Sequence, residues 1–144
     1  MTFKHILVPV DLGERSGAIL DQAKTIADRF ESSLHVLYCF PNPVFPDATG
    51  LISPISPELL EEARVDAQRR LENLVPASER TRYRVRVTVV VGDPLEKIVA
   101  CAKEEHSDLI VMGTHGRTGL MHMFLGSVAE RVVRTAPCPV LTVH

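Results

Sequence analysis

Short apolar runs alternate along this chain with stretches in which apolar residues recur every three or four positions, a pattern that predicts βαβ units building a mostly parallel sheet. The first run, residues 6–10, predicts a strand, and it leads into a helix whose inner face carries Ile19, Ala23, Ile26, Ala27 and Phe30. Residues 34–40 predict the second strand. A proline-studded segment, 41–57, reads as a loop whose length points to a function or to mobility. It ends where Ser56 can cap, and Pro57 open, a helix with Leu60, Ala63, Ala67, Leu71 and Leu74 turned inward.

Residues 83–91 predict the third strand, with Tyr83, Val85, Val87 and Val89 on one face and Arg84, Arg86 and Thr88 on the other, an alternation suited to a sheet edge. Asp93, Pro94 and Glu96 supply an N-cap, a first-turn proline and a carboxylate three residues after the cap, so a helix starts there, with Leu95, Ile98, Val99 and Ala102 at helical spacing. Residues 109–112 predict a buried fourth strand. Ser127 and Glu130 make a second capping box, opening a helix that stops before Pro137, and residues 139–143 predict the fifth strand. Five strands with right-handed crossovers give a single-domain α/β fold: one doubly wound parallel sheet of order 3-2-1-4-5, helices on both faces. The winding reverses between strands one and four. Their carboxyl ends, at Asp11 and Gly113, flank the place where open α/β sheets bind ligands.

Composition narrows the function classes. A chain of 144 residues can bury roughly two-thirds of its unfolded surface without disulfides or metal. With 45% hydrophobic and 24% charged residues it is not a disordered chain. A formal net charge of -2 argues against a general nucleic-acid binder, which needs a basic excess or a concentrated basic face. The one basic cluster, Arg80, Arg82, Arg84 and Arg86, alternates as the wet side of a single strand does. Three scattered cysteines, Cys39, Cys101 and Cys138, form neither a disulfide framework nor a zinc site and fit a reducing compartment. The first residues run straight into a strand with no signal-peptide pattern, and no window approaches the roughly 20 apolar residues of a membrane span. The expectation is a soluble cytoplasmic protein.

Of the eight glycines, Gly113, Gly116, Gly119 and Gly126 crowd into one stretch after the fourth strand and before the last helix. Glycine permits positive φ and close approach of a ligand to the main chain. Amides there and at the following helix N-terminus suit a phosphate, while a tight turn followed by ordinary capping is the plainer reading. The stretch is neither a Walker A loop, since no Gly-Lys-Ser/Thr follows, nor a dinucleotide fingerprint.

Gly113, two residues, Gly116, nine residues, then Gly126 and Ser127 match the glycine signature of the ATP-binding branch of the universal stress protein family. Residues 108–117, 126–134 and 138–141, the opening 6–11 and the Gly92-Asp93-Pro94 triplet also resemble that family, and the similarity runs over essentially the whole chain, weakest in 41–57. The resemblance implies a Rossmann-like fold with an adenine nucleotide across the ends of strands one and four. By position, Gly113, Gly116, Gly126 and Ser127 would hold ribose and phosphates, with Arg117 and Val128 beside them and Met112 and His115 flanking the glycines. Pro9, Val10 and Asp11 would lie near the adenosine. Cys39 stands where the family usually has valine against adenine, a departure that a small hydrophobe tolerates. The first loop, Asp11-Leu12-Gly13-Glu14, also departs from the commoner Asp-Gly-Ser.

Each residue also has a structural reading. Asp11 can stabilise the turn into the first helix, and Arg117 can be a solvated surface arginine. His115 and His122 have no partner at metal-ligand spacing, so zinc is not expected. Mg²⁺ carried by the nucleotide fits better, with Asp11 as its candidate carboxylate. No paired carboxylates and no nucleophile with a base stand at recognisable spacing, which favours a nucleotide-dependent regulatory module over an enzyme; a slow ATPase or nucleotidyl-transfer enzyme on the same scaffold is the alternative. The apolar fifth strand, with Val140, Leu141, Thr142 and Val143, reads as an uncovered edge that invites a twofold homodimer, as the family resemblance also implies. A further protein partner is expected to read the bound state.

Overall fold

Five consecutive buried residues, 6–10, place β1 (His5–Val10) at the centre of a parallel sheet. In this computed structural model the described residues are 1–40, 44–46, 48–115 and 125–144. β1 pairs with β2 (Ser33–Phe40) on one side and with β6 (Leu109–Gly113) on the other. β5 (Arg86–Val91) and β7 (Val140–Val143) form the edges, giving the order β5-β2-β1-β6-β7. This is the doubly wound order read from the sequence, with the half-polar strand at an edge.

The period-two alternation of strands divides the core into two layers. Ile6, Val8, Leu34 and Val36 face α1 (Ser16–Phe30) and α2 (Pro57–Leu74), meeting Ile19, Ala23, Ala27 and Leu71. Leu7, Leu37, Ile110 and Met112 face α4 (Pro94–Glu104) and α5 (Ser127–Thr135), meeting Ile98, Ala102, Ala129 and Val132. Ser56 and Asp93 cap as their sequence positions require: the side chain of Ser56 accepts the amide of Leu59, and Asp93 Oδ2 accepts that of Glu96 at 3.1 Å. Among the described residues no helix is long and apolar enough to cross a membrane.

Three expectations change. The strand expected over 83–91 begins only at Arg86, because 77–82 fold as a short helix, α3 (Ala77–Arg82), that carries Arg80 and Arg82. Tyr83 N–H closes that helix on the Glu79 carbonyl, and Arg84 turns with φ +48° before the strand starts, so the four arginines do not share one strand face. Tyr83 is buried all the same, its hydroxyl on Asp28 Oδ2 at 3.1 Å. The segment 41–57, read as a loop, contains an antiparallel pair, β3 (Val44–Pro46) and β4 (Ile52–Pro54), joined across Gly50 at φ +76°. Finally, Ser127 is not the cap of α5. Gly126 occupies that position, with no side chain to bond the first turn.

Candidate functional site

The strands deliver their carboxyl ends to one cavity of about 350 Å³, which lies in the range of small-molecule sites. β1 contributes Pro9, Val10 and Asp11, and β2 contributes Cys39. Met112 and Gly113 from β6, with His115 just beyond it, form another wall, and Gly126, Ser127 and Val128 at the start of α5 complete it. The sequence positions named for this site therefore meet around one space, except Gly116 and Arg117, which lie outside the described residues.

Local chemistry explains each wall. Asp11 Oδ1 accepts the amide of Gly13 at 2.8 Å and faces the Ser16 hydroxyl at 3.4 Å, so one carboxylate oxygen fixes the turn from β1 into α1. Leu12 between them holds φ +60°, a left-handed conformation that costs a branched side chain more than it would cost glycine. Gly113 has a packing reason for its identity: a Cβ there would stand 2.9 Å from Ile19 Cδ1. Cys39 Sγ donates to the Gly92 carbonyl at 3.2 Å. Burial, with the Asp93 carboxylate adding to it, pushes this thiol up to about 11, so it is a protonated, unreactive wall of the cavity at neutral pH.

The α5 end differs from those of α2 and α4. Its first amides have no side-chain cap, and Gly126 N–H is spent on the Thr114 carbonyl at 2.5 Å, which ties the end of β6 to the start of the helix. The amides of the first turn thus open on the cavity with the positive end of the helix dipole behind them. Thr114 is buried, and its Oγ1 meets both His115 Nδ1 at 2.9 Å and His144 Nδ1 at 3.0 Å. Among the described residues no three His, Cys, Asp or Glu side chains gather as metal ligands.

Several lining residues were not visible as site residues in the sequence: Ile19, Leu37, Pro94, Ile98, Thr114 and Ala129. Helical periodicity marks Ile19 and Ile98 as buried without saying that they border a space. Two signals could have found others. Leu37 sits two residues before Cys39 and so shares its sheet face, and Pro94 opens the helix that follows β5 at this same end of the sheet.

The profile of the universal stress protein family matches residues 2–144. Universal stress protein MJ0531 of Methanocaldococcus jannaschii is 35% identical over 142 residues, covering 98% of this chain and 82% of the relative. The solved structure of MJ0577, a universal stress protein of the same organism, superimposes with a TM-score of 0.78 at 28% identity, covering 99% of this chain and 96% of that one. Two further solved structures share the fold. A universal stress protein in complex with cAMP has a TM-score of 0.63 at 24% identity over 100% and 98% of the two chains, and the Archaeoglobus fulgidus protein in complex with dAMP has 0.65 at 22% over the full length of both. The sheet order, the glycine-framed cavity at its switch point and the match over almost every residue lead to one conclusion: this chain belongs to the universal stress protein family.

Proposed function

We propose that the cavity binds an adenine nucleotide, ATP, and that the protein acts as a nucleotide-dependent regulatory module of the cytoplasmic stress response. One observation carries this reading: the uncapped N-terminus of α5 opens, at Gly126, Ser127 and Val128, into a largely apolar cavity at the switch point of the sheet. Phosphate oxygens need N–H donors and positive potential, and the helix end offers both. The base needs a flat apolar slot, offered by Val10, Leu37, Cys39 and Ile98. In two neighbours the same fold holds cAMP and dAMP; in this chain the lining chemistry supports the assignment.

Gly116 and Arg117 would extend the phosphate cradle in this reading. Mg²⁺ would arrive with the phosphates, and Asp11 is the carboxylate lining the cavity that can reach it, through the oxygen not bound to Gly13. The metal would neutralise phosphate charge. In this reading the chain's own groups bind and orient the nucleotide, and its presence rather than its turnover is the signal. Among the described residues β7 is an edge strand with Leu141 39% exposed, which suits pairing with the same strand of a second copy through Val140, Leu141, Thr142 and Val143.

Purification without added nucleotide, followed by denaturation and mass spectrometry of the supernatant, tests the assignment. Release of an adenine nucleotide is expected. No release, together with no binding up to millimolar ATP, would remove it.

A further inference from the structure

At the amino ends of the strands, one six-residue strand and so about 20 Å from the cavity just described, the sheet face beneath α4 changes from apolar to polar. His5 continues the row of Leu7, Ser33 and His35 continue that of Leu37, and Arg86 and Thr88 continue that of Val90. These side chains border a second cavity of about 270 Å³, closed by Arg84 on one side and by Glu105 and Ser107 after α4 on the other.

The two guanidinium groups are held in place with donors to spare. Arg86 Nη2 meets His35 Nδ1 at 3.2 Å and pairs with Glu105, and Arg84 Nη2 donates to the Glu31 carbonyl at 2.9 Å. Arginine only donates, so His35 Nδ1 accepts and its Nε2 carries the proton given to Thr88 Oγ1 at 2.9 Å. Burial, reinforced by Arg86, lowers the His35 imidazole to about 4, which keeps it a neutral, fixed acceptor behind that arginine. Nε and Nη1 of both arginines have no partner among the described residues. Two guanidinium charges against one carboxylate among the lining residues leave the cavity cationic, while the Ser33 hydroxyl is spent on the Lys4 carbonyl at 3.1 Å and meets His5 Nδ1 at 3.0 Å. Planar forks with free N–H groups match tetrahedral oxyanions. At about 30 Å³ per water the volume admits more than a bare ion.

We propose that this amino-end cavity is a second binding site, for a small phosphate ester whose phosphoryl oxygens lie between Arg84 and Arg86. The proposal is independent of the nucleotide reading. The test is a titration of the full chain with inorganic phosphate at constant ionic strength, following the ring resonances of His5 and His35, with His115 reporting separately on the nucleotide cavity. Saturable shifts at His5 and His35 are expected, with affinity lowered about tenfold or more in Arg84→Ala and in Arg86→Gln. Thermal melts identify which variant is folded, and either one suffices. Absence of saturable shifts at both histidines, or unchanged affinity in a folded variant, overturns the proposal.

Discussion

The Cβ that Gly113 lacks would stand 2.9 Å from Cδ1 of Ile19, so α1 rests directly on the end of β6 at the edge of the cavity at the carboxyl ends of the strands. Gly113→Ala is therefore expected to cost about 1 kcal/mol, the low end of overpacking, because the atom in the way is the terminal methyl of Ile19, which can turn aside. Ile19→Val alone removes the opposing methyl and costs about 0.5–1.5 kcal/mol. In the double variant the clash is relieved, so the combined loss falls short of the sum. Urea denaturation of the four proteins measures this coupling, and strictly additive losses would show that the contact does not govern the site.

Asp11 has one task in the fold and a second in the proposed function, and the two are separable. Oδ1 accepts the Gly13 amide, a bond that the amide oxygen of Asn can replace and Ala cannot. Asp11→Ala is expected to lose about 1 kcal/mol of stability and Asp11→Asn much less. Both remove the charge that the proposed site would offer Mg²⁺, so if ATP binds with Mg²⁺ as proposed, the metal should strengthen ATP binding in the wild type and in neither variant. Thermal melts and titration calorimetry with and without Mg²⁺ separate the two roles. An undiminished Mg²⁺ effect in Asp11→Asn would exclude Asp11 as a metal ligand.

The sheet order and most of the cavity were legible in the sequence because they rest on strong local signals. Buried runs fix the central strands, half-polar alternation puts β5 at an edge, and glycines mark the turn after β6. What was hidden depended on competition between local and distant contacts. Residues 83–85 alternate as a strand does, yet Arg80 and Arg82 belong to α3, and Tyr83 closes that helix while its hydroxyl reaches Asp28. Ser127 and Glu130 spell a capping box, yet the Thr114 carbonyl captures the Gly126 amide and moves the cap one residue back. Leu37 and Ile98 read as core, and only the assembled layers reveal that they border a space.

His35 links stability to pH. Its imidazole is held at about 4 in the folded protein against an ordinary 6.5, first by burial and then by Arg86. The unfolded chain takes up a proton between those values and the folded chain does not. The residue's contribution is thus complete above pH 6.5, declines as pH falls towards 4 and is constant below that. His35→Gln should flatten the decline. Urea midpoints at about pH 7.5 and about pH 4.5 should converge more in this variant than in the wild type. Equal declines in both proteins would contradict the assignment.

Leu141 is 39% exposed on the edge strand β7, where a second copy would pair. Leu141→Asp is expected to halve the mass seen by size-exclusion chromatography with light scattering while the monomer stays folded by circular dichroism. An unchanged dimer mass in that variant would move the interface elsewhere.

Whether the N-terminus of α5 holds phosphate is decided at its exposed first residue. An acid at Ser127 favours the helix by about 0.3–1 kcal/mol, because it answers the dipole of an uncapped N-terminus, yet it places negative charge where the phosphates belong. Titration of wild type and Ser127→Glu with ATP and with adenosine sets these effects against each other. Saturable ATP binding by the wild type is expected, with a variant that melts no lower, binds ATP at least about tenfold more weakly and loses less affinity for adenosine. A wild type that fails to bind ATP, or a variant that binds it as tightly as the wild type, would contradict phosphate binding there.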